Sequence, residues 1–311
     1  MDLLDKAIQQ AKLSVSKPVQ KNTQQKKETT SSGSENVSVA SWNLSGSLDG
    51  FTIDRFEHAL KTLTSAPVSA DIICLQEVPL DHLGWMINRF KVLDYNVFHS
   101  ITKTRVLGEM TAIRFPIKSY EFVPFVSEHG RPTDFGMNFV EFECYGRSCL
   151  IVNTQLDSSF ECKDRREQFD DLISLVRKMD KFVIIAMDSN FKTHEPEPWL
   201  PPKWVDSWDQ YGVLCDKNKN RKYERCYTLD GSRNPTILNT YGNVRHRPDR
   251  VLYFNGDRKF RWSLKSFGLL GTKEFKMING HPVFVSEHFG VYNKYTIEEM
   301  HYLPKTTIVV S

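Results

Sequence analysis

A chain of 311 residues is long enough for one large α/β domain, or two small ones, with a core that needs no metal or disulfide staple. Apolar and charged fractions of 40% and 25% are those of an ordinary globular protein, and a formal charge of +3 excludes a dedicated basic coat. No apolar stretch approaches the roughly 20 residues that span a bilayer, and no signal-peptide core opens the chain, so the expectation is a soluble, monomeric, intracellular protein, nuclear or cytoplasmic, without membrane contact.

Residues 1–36 are rich in Lys, Gln, Ser and Thr, with almost nothing to bury between Ser16 and Glu35, and read as a disordered tail. Leu3, Leu4, Ala7, Ile8, Ala11 and Leu13 fall near helical spacing, so the tail has a candidate amphipathic helix for a protein partner. Residues 37–311 read as one domain. Strands are expected at Val37 to Trp42, Asp71 to Glu77, Val92 to His99, Met110 to Phe115, Met137 to Tyr145, Ser148 to Gln155, Phe182 to Met187, Arg250 to Phe254 and Val283 to Tyr292. Helices are expected at Phe56 to Leu63, Leu83 to Phe90 and Arg165 to Met179, packed outside the sheets. The Ser148 strand, Arg165 helix and Phe182 strand form a crossover unit. The region from Thr193 to Pro248 holds several prolines and the basic run Lys217 to Lys222, and reads as long loops over one face. The six cysteines lack metal-ligand spacing and read as reduced thiols, although Cys144 and Cys149 flank a Tyr145-Gly146 turn and can face each other across a hairpin.

Polar side chains cluster where the apolar runs stop. Asn43 follows the first strand, Gln76 and Glu77 end the second, Thr154 and Gln155 end a third, and Asp188 and Asn190 follow the Phe182 strand. Asp249 opens the Arg250 strand, and Glu287 and His288 lie in the last. A carboxylate on a buried strand end suits Mg²⁺, which prefers oxygen ligands. Asp188 can take a proton from water while Asn190 holds a phosphate, and an acid behind His288, for which Asp249 is the candidate, would keep the imidazole charged. Each element alone is weak: Asn43 by itself is more often a turn former, and Asp-x-Asn is common in turns.

Their order along the chain (Asn, Gln-Glu, Thr-x-Leu, Asp-x-Asn, Asp-Arg, acid-His) is specific, and over residues 37 to 295 it resembles the endonuclease/exonuclease/phosphatase superfamily. The resemblance implies an α/β (α+β) fold, a four-layer sandwich of two mixed β-sheets flanked by helices, with residues 37–311 as the catalytic domain. It implies Mg²⁺, with Mn²⁺ as a substitute, held by Glu77, Asn43 and Glu287, and catalysis by Asp188, Asn190, His288, Asp249 and Gln155. Within the superfamily the chain is similar to the 5′-tyrosyl-DNA phosphodiesterases, through Leu75-Gln76-Glu77-Val78 with Pro79, Met110 to Ile113, the helix Arg165 to Lys178 after Thr154-x-Leu156, Val205-Asp206-Ser207-Trp208, Tyr227-Thr228-x-Asp230 and Leu269-Leu270-Gly271. This implies a nucleic-acid end, including a protein-linked one, as partner, and Arg166, Glu109, Tyr227 and Leu229 as substrate-binding positions.

The chain departs from that pattern at several points. Gln155 stands where the family has His, and cannot carry its charge; Glu287 replaces Asp, and Met187 replaces Gly. Glu109 and Leu229 stand where the tyrosyl-DNA enzymes present Tyr and Trp, so base stacking worth about 1–3 kcal/mol per base would be lost and Glu109 would repel phosphate. Lys217 to Arg225 and Arg245-His246-Arg247 can supply phosphate contacts instead. The alternatives are another superfamily hydrolase (abasic-site endonuclease, 3′ exonuclease or inositol phosphatase) and a catalytically weakened nucleic-acid-binding module.

Overall fold

A computed structural model describes residues 35–46, 53–101, 105–126, 131–159, 162–179, 181–195, 197–215, 227–237, 242–255 and 260–299. The candidate tail helix and the basic run Lys217 to Arg225 lie outside the described residues. Two six-stranded sheets face each other. One has the order β13 (Phe260–Leu270), β16 (Gly290–Glu299), β1 (Glu35–Asn43), β2 (Ile72–Pro79), β4 (Leu107–Ile113) and β3 (Asn96–His99). The other has the order β5 (Ile117–Val126), β6 (Pro132–Cys144), β7 (Arg147–Gln155), β8 (Phe182–Asp188), β12 (Asp249–Asn255) and β9 (Trp204–Asp206).

Alternation along the strands builds the layers. Val37, Val39, Ile72, Cys74, Ile151, Ile184, Ala186, Val251 and Tyr253 meet between the sheets. The opposite face of the first sheet, with Ala40, Trp42, Ile73 and Leu75, packs on α1 (Ile53–Thr64) and α2 (Leu80–Val92) through Phe56, Leu63, Met86 and Phe90. The outer face of the second sheet, with Val152, Val183, Ile185 and Met187, packs on α3 (Lys163–Val176). Phe169, Leu172, Ile173 and Val176 recur at helical spacing along α3, which explains both its formation and its buried face. The result is the expected four-layer sandwich. Met187 belongs to the α3 side, away from the face that Asp188 shares with Ala186 and Ile184.

The crossover of β7, α3 and β8 is present, with β7 and β8 parallel. The β6–β7 hairpin turns through Tyr145 and Gly146, both at positive φ, as a two-residue primed turn requires. Cys144 and Cys149 at its end are free and buried.

Four expectations need correction. The strand expected from Val92 begins only at Asn96, because α2 runs to Val92. The strand expected from Val283 to Tyr292 is broken: β15 (His281–Val283) precedes residues 284–289, outside any strand, and β16 follows. The supposed loops of Thr193 to Pro248 contain β9, α4 (Ser207–Cys215), β10 (Leu229–Asp230), a 3₁₀ turn (Pro235–Ile237) and β11 (Arg245–His246). Two long strands, β5 and β13, were not expected at all. In β13 a register shift between Leu264 and Ser266 moves the inward positions from Trp262 and Leu264 to Phe267 and Leu269, which hides the period of two. β5 is an edge strand containing Pro124.

Candidate active site

The parallel strands β1, β2, β7 and β8 finish at one edge of the sandwich. There Asn43 pairs in register with Gln76, Gln155 with Asp188, and Asp188 with Asp249 at the start of antiparallel β12. A hydrogen-bonded floor joins the sheets: the Gln76 amide donates to Asn153 Oδ1 at 2.8 Å, and Asn153 Nδ2 donates to the carbonyls of Met110 at 2.9 Å and Leu75 at 3.1 Å. All are buried, so the ends of β2, β4 and β7 are locked together beneath the site.

Glu77 reaches the site because β2 carries a bulge. Its pairing with β4 shifts between Leu75 and Val78, and Glu77 sits at φ +51°. A non-glycine residue in that region costs about 1–3 kcal/mol and persists where packing over-determines it, often at functional sites. Ser45, at φ +48°, and Asn190, at φ +52°, share this conformation, which Asn tolerates better than most.

The side chains then converge. Asn43 Nδ2 donates to Asp188 Oδ2 at 2.8 Å and to Glu77 Oε1 at 3.1 Å. Gln155 Nε2 donates to the same Glu77 oxygen at 2.9 Å and approaches Asp188 Oδ2 at 3.5 Å. Two carboxylates thus share neutral amide donors. Asp188 Oδ1 accepts the Asn190 backbone N–H at 3.0 Å, and Asn190 Nδ2 donates to the Leu156 carbonyl at 2.9 Å, leaving its second N–H available.

Opposite them, His288 Nδ1 lies 2.8 Å from Asp249 Oδ2. Donor atoms of Asp188, Asp249 and His288 all fall within 4.8 Å of one another. Asp249 Oδ1 is buried without a hydrogen-bond partner. Burial pushes the Asp188 carboxyl up to about 7, with Asp249 and Glu77 adding to the rise and His288 and the Asn43 amide opposing it. For His288 burial disfavours the imidazolium, but the charge and hydrogen bond of Asp249, backed by Asp188 and Glu77, outweigh it and raise the group to about 10.

The loop carrying Glu287 and His288 is tied down by groups that sequence patterns gave no reason to single out. Ser286 Oγ donates to the Asn43 carbonyl at 2.6 Å and lies 2.8 Å from Ser45 Oγ; Trp42 Nε1 donates to the His288 carbonyl at 2.8 Å. Asn234 Nδ2 donates to the carbonyls of Ser286 and Glu287 at 2.8 and 3.1 Å. Trp42 is clamped between Gly271 and Gly290: a Cβ on Gly271 would stand 2.3 Å from its ring and one on Gly290 2.9 Å. Only the glycine of Leu269-Leu270-Gly271 hinted at this contact. Glu287 is 5% exposed, its backbone N–H donates to Ser45 Oγ at 3.2 Å, and its charge partly offsets the lowering of the Arg55 pKa by burial.

The substrate-wall positions separate. Glu109 is fully buried; Ser100 Oγ donates to it at 2.5 Å and Arg105 pairs with it at 2.7 Å. Its charge is matched inside the protein, which corrects the expectation that it repels phosphate. Leu229 is buried at 8% exposure. Tyr227 is half-buried, with the Arg245 guanidinium 5.6 Å above its ring, and Arg166 lies 5.5 Å from the Phe191 ring. Arg247 pairs with Asp206 at 2.7 Å and helps hold the segment that presents Asp249.

Two facing sheets bring acids, amides and an Asp–His pair together at one edge. The chain belongs to the Endonuclease/Exonuclease/phosphatase family, whose model matches residues 40–264, a span that ends before Glu287 and His288. Among solved structures, it is similar to TDP2 of D. rerio complexed with a single-strand DNA product, with a TM-score of 0.69 and 20% identity over 84% of this chain and 98% of that one. It is also similar to TDP2 of Caenorhabditis elegans, with a TM-score of 0.67 and 22% identity over 84% and 74%, and to the human Nocturnin catalytic domain, with a TM-score of 0.59 and 14% identity over 86% and 94%. Identities this low establish the shared fold alone. No curated protein sequence matches the chain. Among the described residues no helix is long and apolar enough to cross a membrane.

Proposed function

We propose that the protein is a Mg²⁺-dependent phosphodiesterase acting on an ester at a nucleic-acid end, with a 5′-tyrosyl phosphodiester of DNA or RNA as the ester, and that residues 37–311 are its catalytic domain. The observation that supports this most is the placement of Asp188: buried, beside Glu77 on shared amide donors, and flanked by an imidazolium held by Asp249. The donor set fits the ion. Glu77 and Asp188 offer carboxylate oxygens that lie on the same donors, and a hard cation would relieve their repulsion, whereas Asn43 presents its Nδ2 to both and gives its Oδ1 to the Ser45 N–H at 2.8 Å. Glu77 would hold Mg²⁺, with Mn²⁺ as substitute, while the Asn43 expected as a ligand instead orients the two carboxylates through its Nδ2; Glu287 is a further candidate, next in the chain to Ser286, which bonds the Asn43 carbonyl. Bound there, the ion would neutralise charge on the phosphate and lower the pKa of water.

Asp188 accepts the proton of the attacking water, and with a pKa near neutrality it is suited to do so. The free N–H of Asn190 and the Nε2 face of His288 hold phosphate oxygens, and Asp249 keeps His288 charged as negative charge builds on the phosphate. Gln155 donates a hydrogen bond without adding charge.

Gln155, Glu109 and Leu229 favour a second reading, in which the same chemistry serves another family ester. A substrate panel decides between them: 5′-tyrosyl DNA, 5′-tyrosyl RNA, an abasic duplex, an RNA 3′ end and an inositol phosphate, each with Mg²⁺. Release of tyrosine from the first two, abolished by Asp188→Asn, is the expected result; turnover of only another ester overturns the substrate assignment, and turnover of none overturns the activity.

A further inference from the structure

Beside the active edge a cavity of about 670 Å³ opens between α4 and β13, lined by Trp208, Tyr211, Arg233, Phe267, Leu269 and Thr272. Its size is that of a small-molecule site. The ring centroids of Trp208 and Phe267 stack at 5.9 Å, and those of Tyr211 and Phe267 lie 5.8 Å apart. All three rings are half-buried, an arrangement that leaves aromatic surface open to a ligand.

Arg233 supplies the polar group. Its guanidinium carbon lies 4.8 Å above the ring of Phe289, the residue after His288. Its Nη1 is shielded from solvent and has no hydrogen-bond partner. The side chain as a whole is half-buried and lines the cavity, so its positive charge faces a ligand there although this atom does not. The turn that carries Arg233 is also fixed relative to the active site: its backbone N–H donates to the Asp230 carbonyl at 3.1 Å, and the next residue, Asn234, holds the carbonyls of Ser286 and Glu287. The cavity is therefore built into the frame that positions His288.

We propose that this cavity is a nucleotide subsite, in which a base of the strand attached to the scissile phosphate lies against Trp208, Tyr211 and Phe267 and a backbone phosphate accepts from Arg233. The inference rests on the reading of the site as a phosphodiesterase for nucleic-acid ends and deepens it. Aromatic rings bind any base by its face, and a guanidinium binds phosphate by charge-assisted hydrogen bonds. The subsite would take over the grip that Glu109 and Leu229 do not provide.

The test measures affinity of the full chain, with Mg²⁺, for 5′-phosphorylated oligothymidylates of increasing length from a single nucleotide, which resemble the reaction product. Wild type should bind more tightly as length grows, and Arg233→Met and Phe267→Leu should lose that gain, weakening the longest ligand by roughly five- to tenfold. The thermal midpoint of Arg233→Met should be unchanged or raised, since an unpaired buried donor is removed. Equal affinity of Arg233→Met and wild type at every length, or a midpoint that falls by several degrees, overturns the subsite. A length gain that depends on Arg233, in a protein that hydrolyses no phosphodiester, removes the proposed activity and leaves the subsite standing.

Discussion

Glu109 and Asp188 are both buried carboxylates whose pKa burial raises, yet they are opposite kinds of residue. Glu109 has its own cation, Arg105, and a hydroxyl, Ser100. Asp188 has neutral amides, a shared imidazolium across the site, and two further acids that oppose its ionisation. Burial of an acid therefore does not mark a functional site in this molecule. A buried acid whose charge the chain leaves incompletely matched does, because something from outside must match it.

The sharpest way to break this contrast is to neutralise each acid. Asp188→Asn should lower phosphodiester hydrolysis by about a thousandfold, the range of a lost general base, while denaturant melts show stability unchanged or higher. Glu109→Gln should do the reverse in kind, costing about 3 kcal/mol in the same melts because Arg105 is left buried without its partner. If Glu109→Gln melts like wild type, the two acids do not differ as described.

A pH series on the metal-free protein sharpens the comparison. Asp188 rises from an ordinary 3.8 to about 7, so the folded state holds its proton longer and stability from this group falls as pH rises between those values. His288 rises from 6.5 to about 10, so the stabilisation of its pair with Asp249 is complete below 6.5 and lost as pH approaches 10. Together the two groups should make metal-free stability decline from about pH 4 to pH 10, and Asp249→Asn should flatten the alkaline part. The smallest effect is expected at an exposed pair: Lys265→Ala removes the contact with Glu298 at 2.9 Å, between side chains about half exposed, and should change stability by roughly 0.5 kcal/mol or less.

The comparison also explains what could be read from sequence. Asp188, Asn190, Glu77 and Gln155 were legible because each ends an apolar run that forms a buried strand, and β7, α3 and β8 because an apolar run, a helical period and a second apolar run follow in turn. The role of Glu109 was not legible, since it depends on Arg105 and on Ser100 from another segment, and no spacing announces such a pairing. The bonds of Ser45, Ser286 and Asn234 were hidden for the same reason: they run to backbone groups up to 243 residues away. Residues 284–289 looked like strand because Phe284, Val285 and Phe289 are apolar; they are buried between the two halves of the site without joining a sheet.

The claim that the Glu77 side of Asp188 waits for a cation is tested most directly by calorimetric titration of Mn²⁺ and Mg²⁺ into wild type and Glu77→Gln. Wild type should bind the ion and gain thermal stability in proportion to saturation, and Glu77→Gln should do neither. Equal binding by both proteins would contradict the account.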